Sequence, residues 1–567
     1  MIGKVLAALL MLPASVAALA TPAAAAADDP YDVLVFSRTA GFRHDSIPAG
    51  TTAIRELGAA NGFSVTATED PAVFTTAGLA PYEAVVFLNT TGDVLNAAQQ
   101  TAFEGYVRGG GGYVGVHAAA DTEYDWPFYG NLVGAWFASH PAIQAADVVV
   151  EDRAHAATAH LPQRWHRTDE WYNYRTNARS TAHVLASLDE GSYSGGGMGA
   201  DHPHAWCKTL DGGRSFYTGG GHTIESYSDP AFRAHLLGGI RYAARQANAD
   251  CRPETGYTPL YNGSATGWTQ AGPGSFTNAD ATLTSTGGMG LLWYSAKQFT
   301  NYSLKLDWKM AGDDNSGVFI GFPPSSDPWS AVDNGYEVQI DATDAADRTT
   351  GSVYTFKSAD LAARDAALNP PGEWNTYELL VEGEHLQVFL NGTKINDFTN
   401  TDPVRSLAGH IGLQNHGDGD DVSFRNVRIK ELGGTTPPPG PRTGPVRGLA
   451  NKCLDVSGAG TADGTKIQLY TCNNTAAQNW TVTPNSTFKA LGKCLDVAGG
   501  ATANGTKVQL YTCNNSAAQV WSAQADGTVR NPQSGRCLDV SDNSSADGQQ
   551  IHIWDCLGAA NQKWVLP

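Results

Sequence analysis

The chain has 567 residues and a formal net charge of −19, from 56 acidic against 37 basic side chains. No Lys/Arg cluster stands out, so nucleic acid and anionic membrane are poor partners. The length exceeds what one hydrophobic core organises and predicts about three domains.

Lys4 gives a short positive start, an apolar run follows from Val5 to Ala20, and an Ala-rich stretch reaches Ala27 before Asp28 and Asp29. This predicts an export leader over residues 1–27, cleaved near Ala26 or Ala27. No other apolar run is long enough for a membrane span. The mature chain is expected to be soluble, secreted and extracellular. Its eight cysteines agree, since an even count in an exported chain reads as disulfides. Six lie in the C-terminal repeats described below. Cys207 and Cys251 are left to each other, and a nucleophilic Cys207 is the weaker reading.

Residues 31–247 alternate strands and helices. Strand-like runs are Val33-Leu34-Val35-Phe36, Ala84-Val85-Val86-Phe87-Leu88, Tyr113-Val114-Gly115-Val116 and Ser215-Phe216-Tyr217. They are continuously apolar, as parallel strands covered on both faces should be. Helical stretches from Ala53 to Asn61 and from Ala97 to Val107 lie between them. The pattern predicts an open α/β sheet. Ligands bind beyond the carboxyl ends of such strands. His44, His117 and His222 follow three of them, so chain position alone brings three imidazoles toward one rim. His140, Asp169, Glu170, Asp201, His202 and His204 could join them. Imidazole with carboxylate suits a divalent metal such as zinc. Taken singly, each of these residues reads as an ordinary cap or loop residue; as a trio, His44, His117 and His222 read as a site.

The segment resembles the ThuA family, named for trehalose utilisation. The likeness rests on Gly41-Phe42-Arg43-His44-Asp45-Ser46, Gly115-Val116-His117-Ala118-Ala119-Ala120-Asp121, Ser139-His140-Pro141, Thr168-Asp169-Glu170-Trp171-Tyr172 and Gly213 to Thr223. It implies a class I glutamine amidotransferase-like, Rossmann-type fold and a role with oxidised or rare sugars. The elbow where amidotransferases place a nucleophilic Cys is here about His117, which argues against amidotransfer. The resemblance implies a substrate class and no reaction.

Residues 257–432 read as all-β. Leu304, Leu306, Trp308 and Met310 alternate in period two, and Asn391-Gly392 between Val388-Phe389-Leu390 and Ile395 is a hairpin signal. An antiparallel, jelly-roll-style sandwich is expected. In Tyr336-Glu337-Val338-Gln339-Ile340-Asp341, successive side chains point to opposite faces. Tyr336, Val338 and Ile340 then face the core, and Glu337, Gln339 and Asp341 line the other face. That row supplies either glycoside chemistry or an ordinary solvated surface. Trp374, Gln414, His416 and Arg425 are further polar or stacking candidates. The segment is similar to the 3-keto-disaccharide hydrolase domain family, through Leu260-Tyr261-Asn262-Gly263, Asn315 to Ile320, Glu337 to Asp341, Gly372-Glu373-Trp374-Asn375, Leu390-Asn391-Gly392, Gly412 to His416 and Phe424 to Val427. The resemblance implies a concanavalin-like fold and 3-keto glycosides as substrates. Gly321-Phe322-Pro323-Pro324 departs from it, where many members have a strand ending in Arg. A 3-keto group acidifies the C2 proton, so a base such as Glu337 could start an elimination, with Arg425 or a metal stabilising the enolate. Direct hydrolysis by Glu337 and Asp341 is the competing mechanism.

Residues 433–444, rich in Pro and Gly, are an extended linker. From 445 to 567 one pattern occurs three times: Cys453-Leu454-Asp455-Val456 to Cys472, Cys494-Leu495-Asp496-Val497 to Cys513, and Cys537-Leu538-Asp539-Val540 to Cys556, each followed by Gln-x-Trp. A fixed period of this size is one folding unit stacked on itself. The pattern resembles ricin-B-type lectins, which are β-trefoils. The resemblance implies three loops stapled by their Cys pairs and three sugar sites: Asp455 with Gln468 and Tyr470, Asp496 with Gln509 and Tyr511, Asp539 with His552 and Trp554. Asn561 precedes the third Gln, where Ala477 and Ala518 stand in the other copies, so the third site is the most complete. Gln478, Gln519, Gln562 and their tryptophans read as fold residues.

The chain is thus expected to be a secreted carbohydrate-active hydrolase, with Glu337, Gln339, Asp341, Arg425, His416, His117 and His222 as catalytic candidates and polysaccharide or oligosaccharide as partner. Two alternatives stand beside it. One is a non-catalytic multi-module glycan-binding protein. The other makes the ThuA-like segment the sole, metal-dependent enzyme.

Overall fold

The computed structural model describes residues 30–402, 404–433, 442–483, 487–514, 516–524 and 527–567. The export leader and linker residues 434–441 lie outside the described residues. No helix among the described residues is long and apolar enough to cross a membrane. The first two segments share one compact unit and the C-terminal repeats form another.

The first segment is a nine-stranded sheet. Phe63–Thr68, Tyr31–Phe36, Ala84–Leu88, Gly112–Val116 and Gly213–Thr218 lie side by side in parallel. Their alternate residues feed two cores. Val33, Val35, Val86 and Val114 pack under the helices Ile47–Asn61 and Pro230–Ala243. Leu34, Phe36, Val85 and Phe87 pack on the other face with Phe103 and Val107 of the helix Ala97–Arg108. Truncating a buried ring such as Phe87 costs about 3–5 kcal/mol. The helix expected from Ala53 begins six residues earlier, at Ile47, with Pro48 in its first turn, where the missing N–H costs nothing. The sheet is more than a parallel one: Pro203–Leu210, His183–Leu188, Gln144–Val150 and Arg164–Asp169 extend it antiparallel.

The second segment is a sandwich of an eight-stranded and a five-stranded antiparallel sheet. Leu304, Leu306, Trp308 and Met310 are buried in its core, as are Tyr336, Val338 and Ile340. Asn391 and Gly392, at φ 47° and 82°, form the two-residue turn between Leu390 and Thr393. Both positive angles match the strand twist, which is why Asn-Gly stands there. Lys305 and Arg428 point the other way, into a buried ionic seam with the first segment. Lys305 Nζ donates to Asp250 and Glu254, each at 2.8 Å, and Arg428 donates to Glu254 at 2.7 Å. The disulfide Cys207–Cys251 ties the first segment's sheet to the chain entering this seam.

The third segment is built from three similar repeats whose strands pair as one eleven-stranded system. Trp480, Trp521 and Trp564 are buried, and their Nε1–H groups donate to the carbonyls of Leu454, Leu495 and Leu538 at 2.9, 3.0 and 2.9 Å. Each repeat closes its loop with a disulfide: Cys453–Cys472, Cys494–Cys513 and Cys537–Cys556. Loop closure of this length restrains the unfolded chain by roughly 3 kcal/mol in the entropic account.

Candidate functional site

In the sandwich, the strand Tyr336–Asp341 pairs with Asn315–Phe322, which pairs with His410–Asn415. Glu337, Gln339, Gln414 and His416 thereby line one cavity of about 180 Å³, with Asn315, Met289, Trp329 and Tyr354 around them. Gly317 on the intervening strand makes room: a Cβ there would lie 2.1 Å from Glu337 Oε1. No protein group bonds Oε1 of Glu337, Gln339 or Gln414. Burial without a counter-charge pushes Glu337 up to about 8, so it holds its proton at neutral pH. His416 stands at the open side, its Nδ1 2.9 Å from Asp420 Oδ2. With a carboxylate accepting from Nδ1–H, the neutral ring presents a lone pair at Nε2.

Two of the sandwich's own catalytic candidates are not part of this cavity. Asp341 continues the row in sequence, but its carboxylate accepts from the backbone N–H of Thr343 and Asp344 and from Asn315 Nδ2. It is a turn residue, because the strand ends there and its first amides need an acceptor. Arg425 sits in the other sheet, its guanidinium 3.6 Å from the Trp374 ring centre. It lines a separate cavity of about 120 Å³ with Val150, Glu151 and Arg153 of the first segment. The enolate role for Arg425 and the stacking role for Trp374 at this site are therefore corrected: opposite faces of a sandwich do not share a ligand. Sequence reasoning missed Trp329, the first residue of the short helix Trp329–Asn334, and Tyr354, which arrives in a turn; neither segment is long enough to show a period. Asp420 was within reach, four residues after His416.

In the first segment, His117 directly follows the strand Gly112–Val116 and has φ 48°. A left-handed histidine is strained and persists only where its surroundings hold it. Its Nδ1–H donates to Gly219 O at 2.8 Å, which leaves the Nε2 lone pair facing inward. That Nε2 lies 3.2 Å from His222 Nδ1 and 3.4 Å from Glu170 Oε2, and the last two are 3.1 Å apart. His44 completes a group whose ligand atoms all fall within 4.8 Å. Asp169 braces the loop by accepting from the N–H groups of Gly221 and His222. Burial alone would raise Glu170, but its contacts with His117 and His222 outweigh it and hold it well below the usual carboxylate range. Burial, reinforced by the neighbouring imidazoles, pushes His44 down to about 3. His140 reaches the other oxygen of Glu170 at 2.9 Å. The remaining candidates are engaged elsewhere: His202 with Glu190 and Tyr172 O, Asp201 with Arg179 and Asn177, while His204 is buried against Trp171.

Three potential ligand atoms at 3.1–3.4 Å match the edge of a tetrahedron with bonds of about 2.0–2.1 Å, roughly 3.3 Å, so the residues fit a zinc-type ion. His155, Cys207 and Cys251 also cluster, but both cysteines are in the disulfide.

In the repeats, Asp455, Asp496 and Asp539 are buried and receive Gln468, Gln509 and His552, each at 2.8 Å. Gln478, Gln519 and Gln562 donate to the second oxygen and bind loop backbone, so they hold the loop. Tyr470, Tyr511 and Trp554 present exposed rings. The third repeat has a cavity of about 240 Å³ lined by Asp539, His552, Trp554 and Asn561, and Asn561 donates to Asp539 at 2.9 Å.

Comparison with known proteins agrees with this division. The family described as trehalose utilisation, ThuA, matches residues 32–243. The 3-keto-alpha-glucoside-1,2-lyase-like domain matches residues 256–430, and the ricin-type beta-trefoil lectin domain matches 442–564. Comparison with the curated proteins gave no match. Among solved structures, one from Bacteroides uniformis, described provisionally as thua-like, is 26% identical over 39% of this chain and 95% of its own, with a TM-score of 0.35. One from Parabacteroides distasonis, described provisionally as a glycosyl hydrolase, is 23% identical over 31% of this chain and 100% of its own, with a TM-score of 0.28. A non-toxic homologue of type II RIPs from Momordica charantia, in complex with alpha-methyl-D-galactoside, is 32% identical over 22% of this chain and 48% of its own, with a TM-score of 0.21. The chain therefore carries a ThuA domain, a 3-keto-disaccharide hydrolase-like domain and a ricin-type lectin domain, in that order.

Proposed function

We propose that this chain is a secreted enzyme that cleaves the glycosidic bond of 3-keto glycosides by elimination, held on polysaccharide by its lectin domain. Secretion rests on the leader pattern and on four disulfides, which persist in oxidising compartments. The observation that carries the chemistry is Glu337: a carboxyl buried without a counter-charge, lining the same cavity as a histidine oriented by a carboxylate. Elimination needs a base at C2 and a neutral donor at the ketone oxygen. His416 Nε2 takes the C2 proton while Glu337 donates a hydrogen bond to the C3 oxygen, where charge develops. A carboxylic acid kept protonated by an apolar site is suited to that role. The enolate then re-forms the ketone, the C1=C2 bond forms, and the C1–O bond breaks. The proton held on His416 passes to the leaving oxygen. Paired-carboxyl hydrolysis is less well supported, because Asp341 is engaged in the turn.

The lectin domain contributes by effective concentration, keeping a weak-binding catalytic site near polymer. The test is sugar release from 3-keto-trehalose, 3-keto-lactose and their unoxidised parents, with Glu337→Gln alongside. Release from the keto sugars alone, reduced at least 100-fold in the variant, is expected. Equal release from the unoxidised parents would sink the elimination. No release from any of them would favour the glycan-binding alternative.

A further inference from the structure

Elimination from a 3-keto glycoside does not by itself complete hydrolysis. It leaves an unsaturated sugar, C1=C2 conjugated with the C3 ketone, which a reaction of the water-adding class must consume. Conjugate addition of water needs a group that polarises the ketone and a base that takes a proton from water. Among the described residues of the sandwich, no cluster of metal-ligating side chains exists. The ThuA domain has one, and nothing in the elimination uses it.

We propose that His117, His222, Glu170 and His44 hold a divalent metal, and that this centre adds water to the unsaturated 3-keto sugar that the sandwich releases. The proposal rests on the elimination reading for the origin of its substrate. It stands on three observations. First, His117 Nε2, His222 Nδ1 and Glu170 Oε2 converge at 3.1–3.4 Å, with His44 in the same group, a spacing that one divalent cation can bridge. Second, the centre is open. The side chains of His222 and His140 are 20% and 43% exposed, and Phe42, in edge contact with His44, is 66% exposed. Structural zinc sites are closed; catalytic ones keep a position for substrate or water. Phe42 offers an apolar face of the kind on which a sugar ring stacks. Third, a base is in place. His140 Nδ1 faces two acceptors, Glu170 Oε1 at 2.9 Å and Pro141 O at 3.0 Å, so its proton sits on Nδ1 and Nε2 has the lone pair.

A divalent ion at this position would polarise the ketone as a Lewis acid and make water more acidic. His140 Nε2 takes one proton from the attacking water. The water oxygen bonds to C1, the C1=C2 pair moves toward the C3 oxygen, and the proton is returned to C2. One water is consumed, no electrons are exchanged, and the product is the free 3-keto sugar.

The experiment feeds the full-length protein with the isolated unsaturated 3-keto glucose derivative, which bypasses the sandwich. Hydration is followed by loss of the enone absorbance, and metal content is measured on the same samples. One metal per chain and hydration at least 100-fold above the uncatalysed rate are expected. His222→Ala should lose both. His140→Gln should keep the metal and lose at least 10-fold in hydration. Stripping wild-type protein with a chelator and restoring zinc covers the case in which His222→Ala fails to fold. A metal-free protein that hydrates the enone as fast as the loaded one overturns the proposal, as does a metal-loaded protein with no hydration. Hydration of the fed enone without sugar release from 3-keto disaccharides would overturn the elimination reading and leave this one standing.

Discussion

Glu337 keeps its proton because the folded chain surrounds the carboxyl with amides and aromatic rings and gives it no cation. It titrates near 8 in the folded state and near 4.5 ordinarily. The folded protein therefore binds a proton that the unfolded chain has released. This contribution to stability is full below about pH 4.5 and is lost as pH rises toward 8, at about 1.4 kcal/mol per unit. Between pH 5 and pH 8 the unfolding free energy from urea titrations should fall by several kcal/mol more for wild type than for Glu337→Gln, which has nothing to ionise there. If the neutral acid is the working form, turnover should also decline above about pH 8. Trp554 is the corresponding residue in the lectin. Its exposed ring beside His552 predicts that Trp554→Ala weakens retention on a polysaccharide column more than Tyr511→Ala does, because the third repeat alone adds Asn561.

Strands place these residues, and strand geometry explains what the local pattern says and omits. Glu337 and Gln339 share a face because side chains alternate. The same alternation correctly put Tyr336, Val338 and Ile340 in the core. It could not separate Asp341 from its row, since the difference lies in where the strand ends. The space over Glu337 comes from a neighbour: Gly317 lies across from Gln339 on the adjacent strand. Gly317→Ala should displace the carboxyl and cost at least 10-fold in turnover while every polar residue of the cavity remains. A full-rate Gly317→Ala enzyme would mean that Glu337 works from another position. In the ThuA domain the strand Gly112–Val116 delivers His117 at a left-handed elbow, so one backbone conformation aims the imidazole. That angle is invisible in the sequence, although its location after an apolar strand was readable.

At the scale of the molecule, the first two domains meet across a seam of buried charge. Arg428 holds Glu254 at 2.7 Å and approaches Asp307 at 3.5 Å. Burial raises Asp307 to about 6 even against that arginine. Replacing Arg428 with Met would leave Glu254 with fewer partners in a largely buried seam, and loss of one partner from a buried pair costs about 3–5 kcal/mol. Thermal unfolding of Arg428→Met should therefore begin well below that of wild type. An unchanged midpoint would show that solvent reaches the seam. Arg425 belongs to this seam as well, which is why its place in the chain, near the end of a sandwich strand, misled as to its role.

The sequence by itself determined the three-part order, the parallel strands of the first domain, the Asn-Gly hairpin and the threefold repeat. All of these depend on local spacing: apolar period, turn chemistry and a 19-residue Cys separation. His44, His117 and His222 were also legible as a group, because connections in an open sheet return to one rim. Only the tertiary structure decided that Glu170 closes that group, that a buried Glu337 shares a cavity with His416, that Asp341 serves a turn and that Arg425 faces the neighbouring domain. Those outcomes depend on which strands become neighbours and which face another domain covers, and no single stretch of chain encodes either.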